Sequence, residues 1–288
     1  MTWNAEQYLH FGGHRTRPVF DLIAGVDLIG LGGPGRVIDL GSGPGNSTQL
    51  LREHWPSCAL TGLDNDAAML ARARKDHPSE LWVEADIGEW AMRDDNVGAF
   101  DLVFSNAALH WVDDHRELFA RLVGKLAPGG VLACQMPRNF AAPSHALLRE
   151  TMKAPQWRDR LEAFADWEPV SSPLDYYAWI QPLVARIDIW ETEYLQVLSG
   201  DNAVLEWVKG SALVPVRDAL AADEYTRFAD RYGALLRDAY PRRDDGSTLL
   251  PFRRLFIVAR ASGSSDTDRA DRVVRVSVPR VHPGLAPV

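Results

Sequence analysis

A short apolar run at residues 36–40 leads directly into a glycine-rich segment at 41–45, and a helical pattern begins at Ser47. Glycine adopts backbone conformations that other residues avoid, so such a segment turns tightly and exposes bare backbone to a ligand. The helix that follows would direct the positive end of its dipole toward the same point. This strand–loop–helix unit predicts an α/β fold with a ligand site at the end of the first strand.

Further short apolar runs predict more strands of the same sheet. They lie at residues 59–63, 81–84, 100–104 and 131–136, with helical patterns at 47–54, 66–76 and 114–126 between them. Nearly continuous apolar runs are typical of parallel strands that are buried on both faces. The sequence Pro-Gly-Gly at 128–130 predicts a turn before the fifth strand.

The pattern changes after Pro137. An alternating apolar and polar run at 187–195 predicts an edge or antiparallel strand, and the run at 255–259 predicts a last strand. Helical spacing fills residues 144–182 and 202–240. These segments predict helical additions to the parallel sheet.

The composition excludes several classes of protein. The 288 residues are 46% hydrophobic and 24% charged, which is typical of a globular chain rather than a disordered one. The 39 acidic and 31 basic residues give a net charge of −8, whereas nucleic-acid-binding proteins usually carry a basic face. No apolar stretch has the length of a membrane span, and the N-terminus lacks a secretory signal. We therefore predict a cytoplasmic protein that binds neither nucleic acid nor membrane.

Two details of the glycine-rich loop bear on its ligand. A dinucleotide fingerprint has the spacing G-x-G-x-x-G, but here Gly45 comes one place early and Asn46 follows it. An acid, Asp39, also precedes the loop. A carboxylate would repel a pyrophosphate, whereas it, or the backbone that it organises, would favour the cationic ammonium group of S-adenosylmethionine. These details favour S-adenosylmethionine chemistry over a nicotinamide-dependent oxidoreductase.

The ends of the next three strands each present further candidate groups. Asp64 ends the second strand, where an acid can accept from both ribose hydroxyls of an adenosine, although alone it would more often form an Asx-turn. Asp86 and Ile87 follow the third strand and could meet an adenine ring, although Asp86 could instead cap a helix. Residues 105–111 follow the fourth strand. Because ligands bind at the carboxyl ends of parallel strands, we expect these groups to line one crevice.

These features resemble a known family. The glycine-rich loop, Asp64, the step at 85–87 and the segment at 128–130 resemble class I S-adenosylmethionine-dependent methyltransferases. Narrower motifs resemble the trans-aconitate 2-methyltransferases within that superfamily; they are Tyr8-Leu9-His10-Phe11, Arg15-Thr16-Arg17-Pro18, Gln135-Met136-Pro137 and residues 254–260. The resemblance covers roughly residues 1–261. It implies a Rossmann-like α/β fold with a mostly parallel seven-stranded sheet, an antiparallel last strand and added helices over the substrate side.

The resemblance also implies a reaction, which is methyl transfer to a carboxylate of trans-aconitate or a close small polycarboxylic acid. The products would be a monomethyl ester and S-adenosylhomocysteine. A carboxylate is ionised at neutral pH, so no general base is required, His110 would have at most a minor role, and no metal is expected. The candidate cofactor-binding residues are Asp39, Gly41, Ser42, Gly43, Asn46, Asp64, Asn65, Asp86, Ile87, Asn106 and Leu109. The candidate substrate-binding residues are Tyr8, His10, Arg15, Arg17, His110, Trp111, Gln135 and Arg138.

We predict one methyltransferase domain at residues 1–261. Its parts are an N-terminal lid segment (1–30), a cofactor-binding core (31–137), helical additions with the sixth strand (138–250) and the last strand (251–261). A mobile tail is expected at 262–288, and the chain is expected to be a monomer or weak dimer. Two alternatives stay open: another small-molecule or carrier-protein carboxyl O-methyltransferase, and a non-catalytic S-adenosylmethionine-binding protein.

Overall fold

The apolar runs form the strands of one seven-stranded sheet in the computed structural model, which describes residues 12–165 and 168–263. The strands are β1 (Arg36–Leu40), β2 (Ala59–Asp64), β3 (Leu81–Glu84), β4 (Phe100–Asn106), β5 (Leu126–Pro137), β6 (Arg186–Ser199) and β7 (Ser247–Arg260). Their order across the sheet is β3-β2-β1-β4-β5-β7-β6. Strands β1 to β5 pair with one another in parallel, and β7 is antiparallel to both β5 and β6. The predicted mostly parallel sheet with an antiparallel last strand is confirmed.

Helices connect the strands and extend the fold beyond the sheet. In the described residues they are α1 (Gly12–Leu28), α2 (Asn46–His54), α3 (Ala67–Asp76), α4 (Ile87–Met92), α5 (His115–Gly124), α6 (Pro143–Met152), α7 (Arg158–Ala165), α8 (Pro173–Ile180), α9 (Ala203–Lys209), α10 (Val214–Ala219) and α11 (Ala222–Ala239). Short 3₁₀ helices span Leu109–Trp111 and Gln181–Leu183. None of the helices in this part of the chain is long and apolar enough to cross a membrane.

Helices cover both faces of the sheet, and successive side chains of each strand point to opposite faces. Ile38 and Leu40 of β1 pack in one core with residues of α5 and α8, whereas Val37 packs in a second core with residues of α1 and α2. Burial on both sides explains why apolar residues predominate in the central strands.

The outer half of the antiparallel β6–β7 pair supports a third core. The two strands pair from Arg186↔Arg260 to Ser199↔Ser247, so their far ends extend well past the end of β5. Leu198 and Leu250 near these ends are buried with residues of α6, α7 and α9 to α11. The predicted helical additions therefore share a hydrophobic core of their own, and that core includes Trp157 and Trp207.

The prediction of a turn at 128–130 is wrong. Strand β5 already starts at Leu126 and passes through this segment, with an irregular register opposite β4 and a positive φ of 76° at Gly129. A Cβ at Gly130 would lie 2.8 Å from the carbonyl oxygen of Phe100, so the neighbouring strand approaches too closely for a side chain. The glycines allow a bulged strand here rather than a chain reversal.

Helix α1 belongs to the core over most of its length. Leu22 and Val26 are fully buried, and the helix packs against β5 and β7. The predicted lid at residues 1–30 therefore does not include this part of the helix, because the helix packs on one face of the sheet. Residues 1–11 and 264–288, which include most of the predicted tail, lie outside the described residues. The part of that tail that is described is attached to the sheet, since the Ser262 carbonyl accepts a hydrogen bond from Gly129 N–H.

Candidate active site

The glycine-rich loop joins β1 to α2 and requires its glycines. Gly41 and Gly43 have positive φ angles of 71° and 55°, a region that favours glycine. A Cβ at Gly41 would lie only 2.1 Å from the Cβ of Ala108, whereas a Cβ at Gly43 would meet no atom within 4 Å. The backbone at Gly43 is therefore open to a ligand, and the backbone at Gly41 is held tightly against the loop that follows β4.

Asp39 holds this loop from beneath. It is fully buried, and its Oδ2 accepts hydrogen bonds from the hydroxyls of Ser47 and Thr48, both at 2.7 Å. Burial raises the pKa of the Asp39 carboxyl to about 6, although these two hydrogen bonds act in the opposite direction. Asp39 is not among the residues that line the cavities described below. It fixes the first turn of α2 against the end of β1, which agrees with a role through the backbone that it organises.

Asp64 connects the end of β2 to the loop. One carboxylate oxygen accepts from Gly43 N–H at 2.8 Å, and the other accepts from Asp66 N–H at 2.9 Å. Burial raises the pKa of Asp64, whereas these backbone hydrogen bonds lower it. A carboxylate oxygen has more than one lone pair, so each can accept a further hydrogen bond. The turn-forming and ligand-binding interpretations of Asp64 are therefore compatible.

A cavity of about 350 Å³ opens at the carboxyl ends of β1 to β4, and we call it the strand-end cavity. Eight residues predicted to form the site line it: Gly41, Gly43, Asp64, Asn65, Asp86, Ile87, Asn106 and Trp111. Asp86 also caps α4, because its side chain accepts from Glu89 N–H at 3.0 Å. A smaller cavity beside the loop is lined by Ser42, Asn46 and Asn106, and by Thr16 and Val19 of α1.

A third cavity, of about 110 Å³, lies between the sheet and the added helices. We call it the Arg254 cavity, after the arginine of β7 that lines it and is only 4% exposed. Trp207 and Phe252 supply apolar walls, and Asn106 and Trp111 line both this cavity and the strand-end cavity. A ligand in one cavity would therefore be next to a ligand in the other.

The two histidines of the Arg254 cavity are neutral at pH 7. Burial lowers the pKa of His110 to about 3, and the nearby positive charge of Arg254 contributes to this shift. Burial likewise lowers the pKa of His145 to about 4, with a smaller contribution from Arg149. The arginine is therefore a cation in a largely apolar cavity whose histidines carry no charge.

Gln135 lies behind the wall of this cavity and joins two of its residues. It is fully buried, accepts a hydrogen bond from Arg254 Nη1 at 2.8 Å, and donates through Nε2 to Asn106 Oδ1 at 2.9 Å. Gln135 was predicted to contact the substrate. The structure instead places it where it can orient Arg254 and Asn106, which line the cavity themselves.

Comparisons with known proteins agree with this arrangement. Residues 38–134 match a family described as a methyltransferase domain. The chain is 43% identical over 258 residues to a trans-aconitate 2-methyltransferase of Azoarcus sp. (strain BH72), an alignment that covers 90% of this chain and 98% of the relative. A trans-aconitate 2-methyltransferase of Mycobacterium tuberculosis (strain ATCC 25177 / H37Ra) is 41% identical over 91% of this chain and 98% of its own.

The chain belongs to the trans-aconitate 2-methyltransferase family. A solved structure, the YcgJ protein from Bacillus subtilis, has the same fold, with a TM-score of 0.52 and 15% sequence identity over 84% of this chain and 98% of that one. In this family member, no cluster of three or more His, Cys, Asp or Glu side chains within 12–165 and 168–263 could hold a metal ion.

Several predicted site residues of this family member lie away from the cavities. Arg138 donates to Glu191 at 2.6 Å, because β6 brings an acid beside it. Arg17 lies over the ring of Tyr194, with its guanidinium carbon 5.3 Å from the ring centroid. Leu109 is fully buried in the core beneath the loop after β4. Tyr8 and His10 lie outside the described residues, and so does the side chain of Arg15.

Sequence reasoning missed most of the Arg254 cavity. Asn139, His145, Trp207, Phe252 and Arg254 line it but were not proposed as site residues. Arg254 had a detectable signal, because it begins an apolar run that must be a buried strand, and a buried arginine needs a partner or a ligand. The other four come from the loop after β5, from α6, from α9 and from β7, and the meeting point of these segments depends on the tertiary fold.

Proposed function

We propose that the protein transfers a methyl group from S-adenosylmethionine to a carboxylate of trans-aconitate or a close small polycarboxylic acid. The products are the monomethyl ester and S-adenosylhomocysteine. The observation that carries this proposal is the shared wall at Asn106 and Trp111, which puts the arginine-containing cavity directly beside the strand-end cavity. The names of the relatives support the choice of acceptor.

The strand-end cavity suits S-adenosylmethionine, which supplies an electrophilic methyl group when it is bound. Bare backbone at Gly43 can approach the ligand, and Asp64 keeps lone pairs for ribose hydroxyls. Asp86 can accept from an adenine amino group while Ile87 covers the ring. Two carboxylates on this wall also suit a ligand that carries positive charge.

The Arg254 cavity suits an anionic acceptor. The planar guanidinium of Arg254 can donate two hydrogen bonds to one carboxylate. The acceptor's reacting carboxylate is ionised at neutral pH and has no proton to lose. Neutral His110 therefore serves as a polar wall rather than as a general base. The aromatic walls exclude water, and alignment of the acceptor with the methyl group supplies much of the rate enhancement.

The test is a methyl-transfer assay on a panel of free acids, with the ester identified by mass spectrometry. The panel contains trans-aconitate, cis-aconitate, citrate, propane-1,2,3-tricarboxylate and malonate, together with a malonyl-carrier protein. We expect the highest kcat/KM with trans-aconitate. Methylation of the carrier protein alone would indicate the carrier-protein alternative. Binding of S-adenosylhomocysteine without turnover on any acceptor would indicate a non-catalytic binding protein.

A further inference from the structure

Three polar side chains form a row across three neighbouring strands. Arg254 lies on β7, Gln135 on β5 and Asn106 on β4, and Asn106 and Gln135 are direct partners in the β4–β5 register. The row starts at the Arg254 cavity and ends at Asn106, where that cavity meets the strand-end cavity. Its two hydrogen bonds, at 2.8 and 2.9 Å, are within the normal range.

The chemistry of arginine fixes which atom donates and which accepts in each hydrogen bond of this row. A guanidinium has five N–H donors and no acceptor, so the atom of Gln135 that contacts Arg254 must be its amide oxygen. The amide nitrogen of Gln135 then faces Asn106, and the atom of Asn106 that receives it must also be an oxygen. The group that Asn106 retains for the cavities is therefore its NH₂, a hydrogen-bond donor.

We propose that Gln135 is a positioning residue that makes Asn106 present this donor to the reacting carboxylate of the acceptor. This inference rests on the proposed function, because it assigns the carboxylate as the ligand of Asn106. One carboxylate oxygen accepts from Asn106 Nδ2, and the other is left free to attack the methyl carbon. Gln135 also holds Arg254 through a neutral amide, so it does not offset the positive charge that faces the acceptor.

Two substitutions of nearly equal size separate positioning from support of the fold. In Gln135→Glu, a carboxylate accepts from Arg254 and from Asn106 Nδ2, so both hydrogen bonds persist but Asn106 turns its oxygen toward the acceptor. In Gln135→Met, both hydrogen bonds are lost but no charge is added. A merely structural Gln135 predicts that the Met variant is the more damaged of the two.

The positioning role predicts the opposite order. We expect Gln135→Glu to lower kcat/KM for trans-aconitate about 10- to 100-fold, the effect of a lost hydrogen bond to a charged group, and more than Gln135→Met does. The affinity for S-adenosylhomocysteine, measured by calorimetry, should change far less. Gln49→Glu, on the exposed face of α2, adds the same charge and should leave kcat/KM unchanged. A larger loss of kcat/KM in the Met variant would overturn the proposal.

A second readout does not depend on turnover. The side-chain amide signal of Asn106 can be assigned in a ¹⁵N–¹H spectrum by its loss in Asn106→Asp. We expect this signal to move in Gln135→Glu, because Nδ2 then donates to the new carboxylate, and to move in the wild-type protein when trans-aconitate is added. An unchanged Asn106 signal in Gln135→Glu would contradict the proposed direction of the hydrogen bond between Gln135 and Asn106. A wild-type protein that methylates no free acid contradicts the proposed function instead.

Discussion

The strand-end cavity and the Arg254 cavity touch each other but are built differently. The first is lined by residues from 41 to 112, which lie at the carboxyl ends of four parallel strands and in the segments that follow them. The second takes residues from 106 to 254, which come from the sheet, including β7, from the added helices and from the loops between them. The first therefore depends on local strand–loop–helix geometry, and the second depends on how distant segments pack together.

The two cavities also differ in the charges of the side chains that line them. Asp64 and Asp86 line the strand-end cavity, whereas Arg254 lines the other one, beside two histidines that burial keeps neutral. A cationic methyl donor and an anionic acceptor require such a division. The net charge of −8 thus describes the molecule as a whole but not the acceptor side of its site.

The largest effect should come from the two loop glycines that line the strand-end cavity, Gly41 and Gly43. Gly41→Val places a Cβ against Ala108 in a conformation that disfavours side chains, so we expect it to abolish S-adenosylhomocysteine binding and to destabilise the fold by more than about 2 kcal/mol. Gly43→Val should also abolish binding but destabilise less, because its Cβ enters open space. Calorimetry and thermal unfolding measure the two effects. Unchanged binding in Gly43→Val would mean that the ligand does not approach this backbone.

The next largest effect is expected on KM, and it should distinguish Arg254, which lines the cavity, from Arg138, which does not. Arg254→Met removes the cation of the Arg254 cavity, and we expect it to raise KM for trans-aconitate at least about 10- to 100-fold while S-adenosylhomocysteine still binds. Arg138→Met is the matched control, because that arginine pairs with Glu191 outside the cavity. It should leave KM unchanged and cost about 1 kcal/mol of stability or less. Equal effects of both variants on KM would contradict the assignment of Arg254.

These two regions also explain what sequence could predict. Asp64, Asp86 and the glycine-rich loop were recognisable because a short strand followed by glycines and a helix start gives a local signal. Arg254 was not recognised, because its contact with Gln135 joins residues 119 positions apart through antiparallel pairing. Arg138 was assigned to the substrate because the sequence does not reveal that β6 brings Glu191 beside it. The continuation of β5 through Gly129 was missed because a bulge and a turn have the same glycine signature.

The smallest effect on activity is expected at His110, where the acceptor's carboxylate needs no base. His110→Asn should keep kcat within about 10-fold of wild type, whereas loss of a general base typically costs 10²–10⁴-fold. A loss in that larger range, measured at saturating trans-aconitate, would restore a proton-transfer role.

The His110→Asn substitution should also change how the free energy of unfolding depends on pH. The pKa of His110 falls from 6.5 to about 3 on folding, so between these values the unfolded chain binds one more proton than the folded one. The contribution of neutral His110 to the free energy of unfolding is fully present above about pH 6.5 and is lost as the pH falls toward 3. His110→Asn should therefore flatten the decline in unfolding free energy by about 1.4 kcal/mol per pH unit in that window. Urea titrations of both proteins at pH 7, 6 and 5 measure this slope, and identical slopes would mean that His110 is not buried in its neutral form.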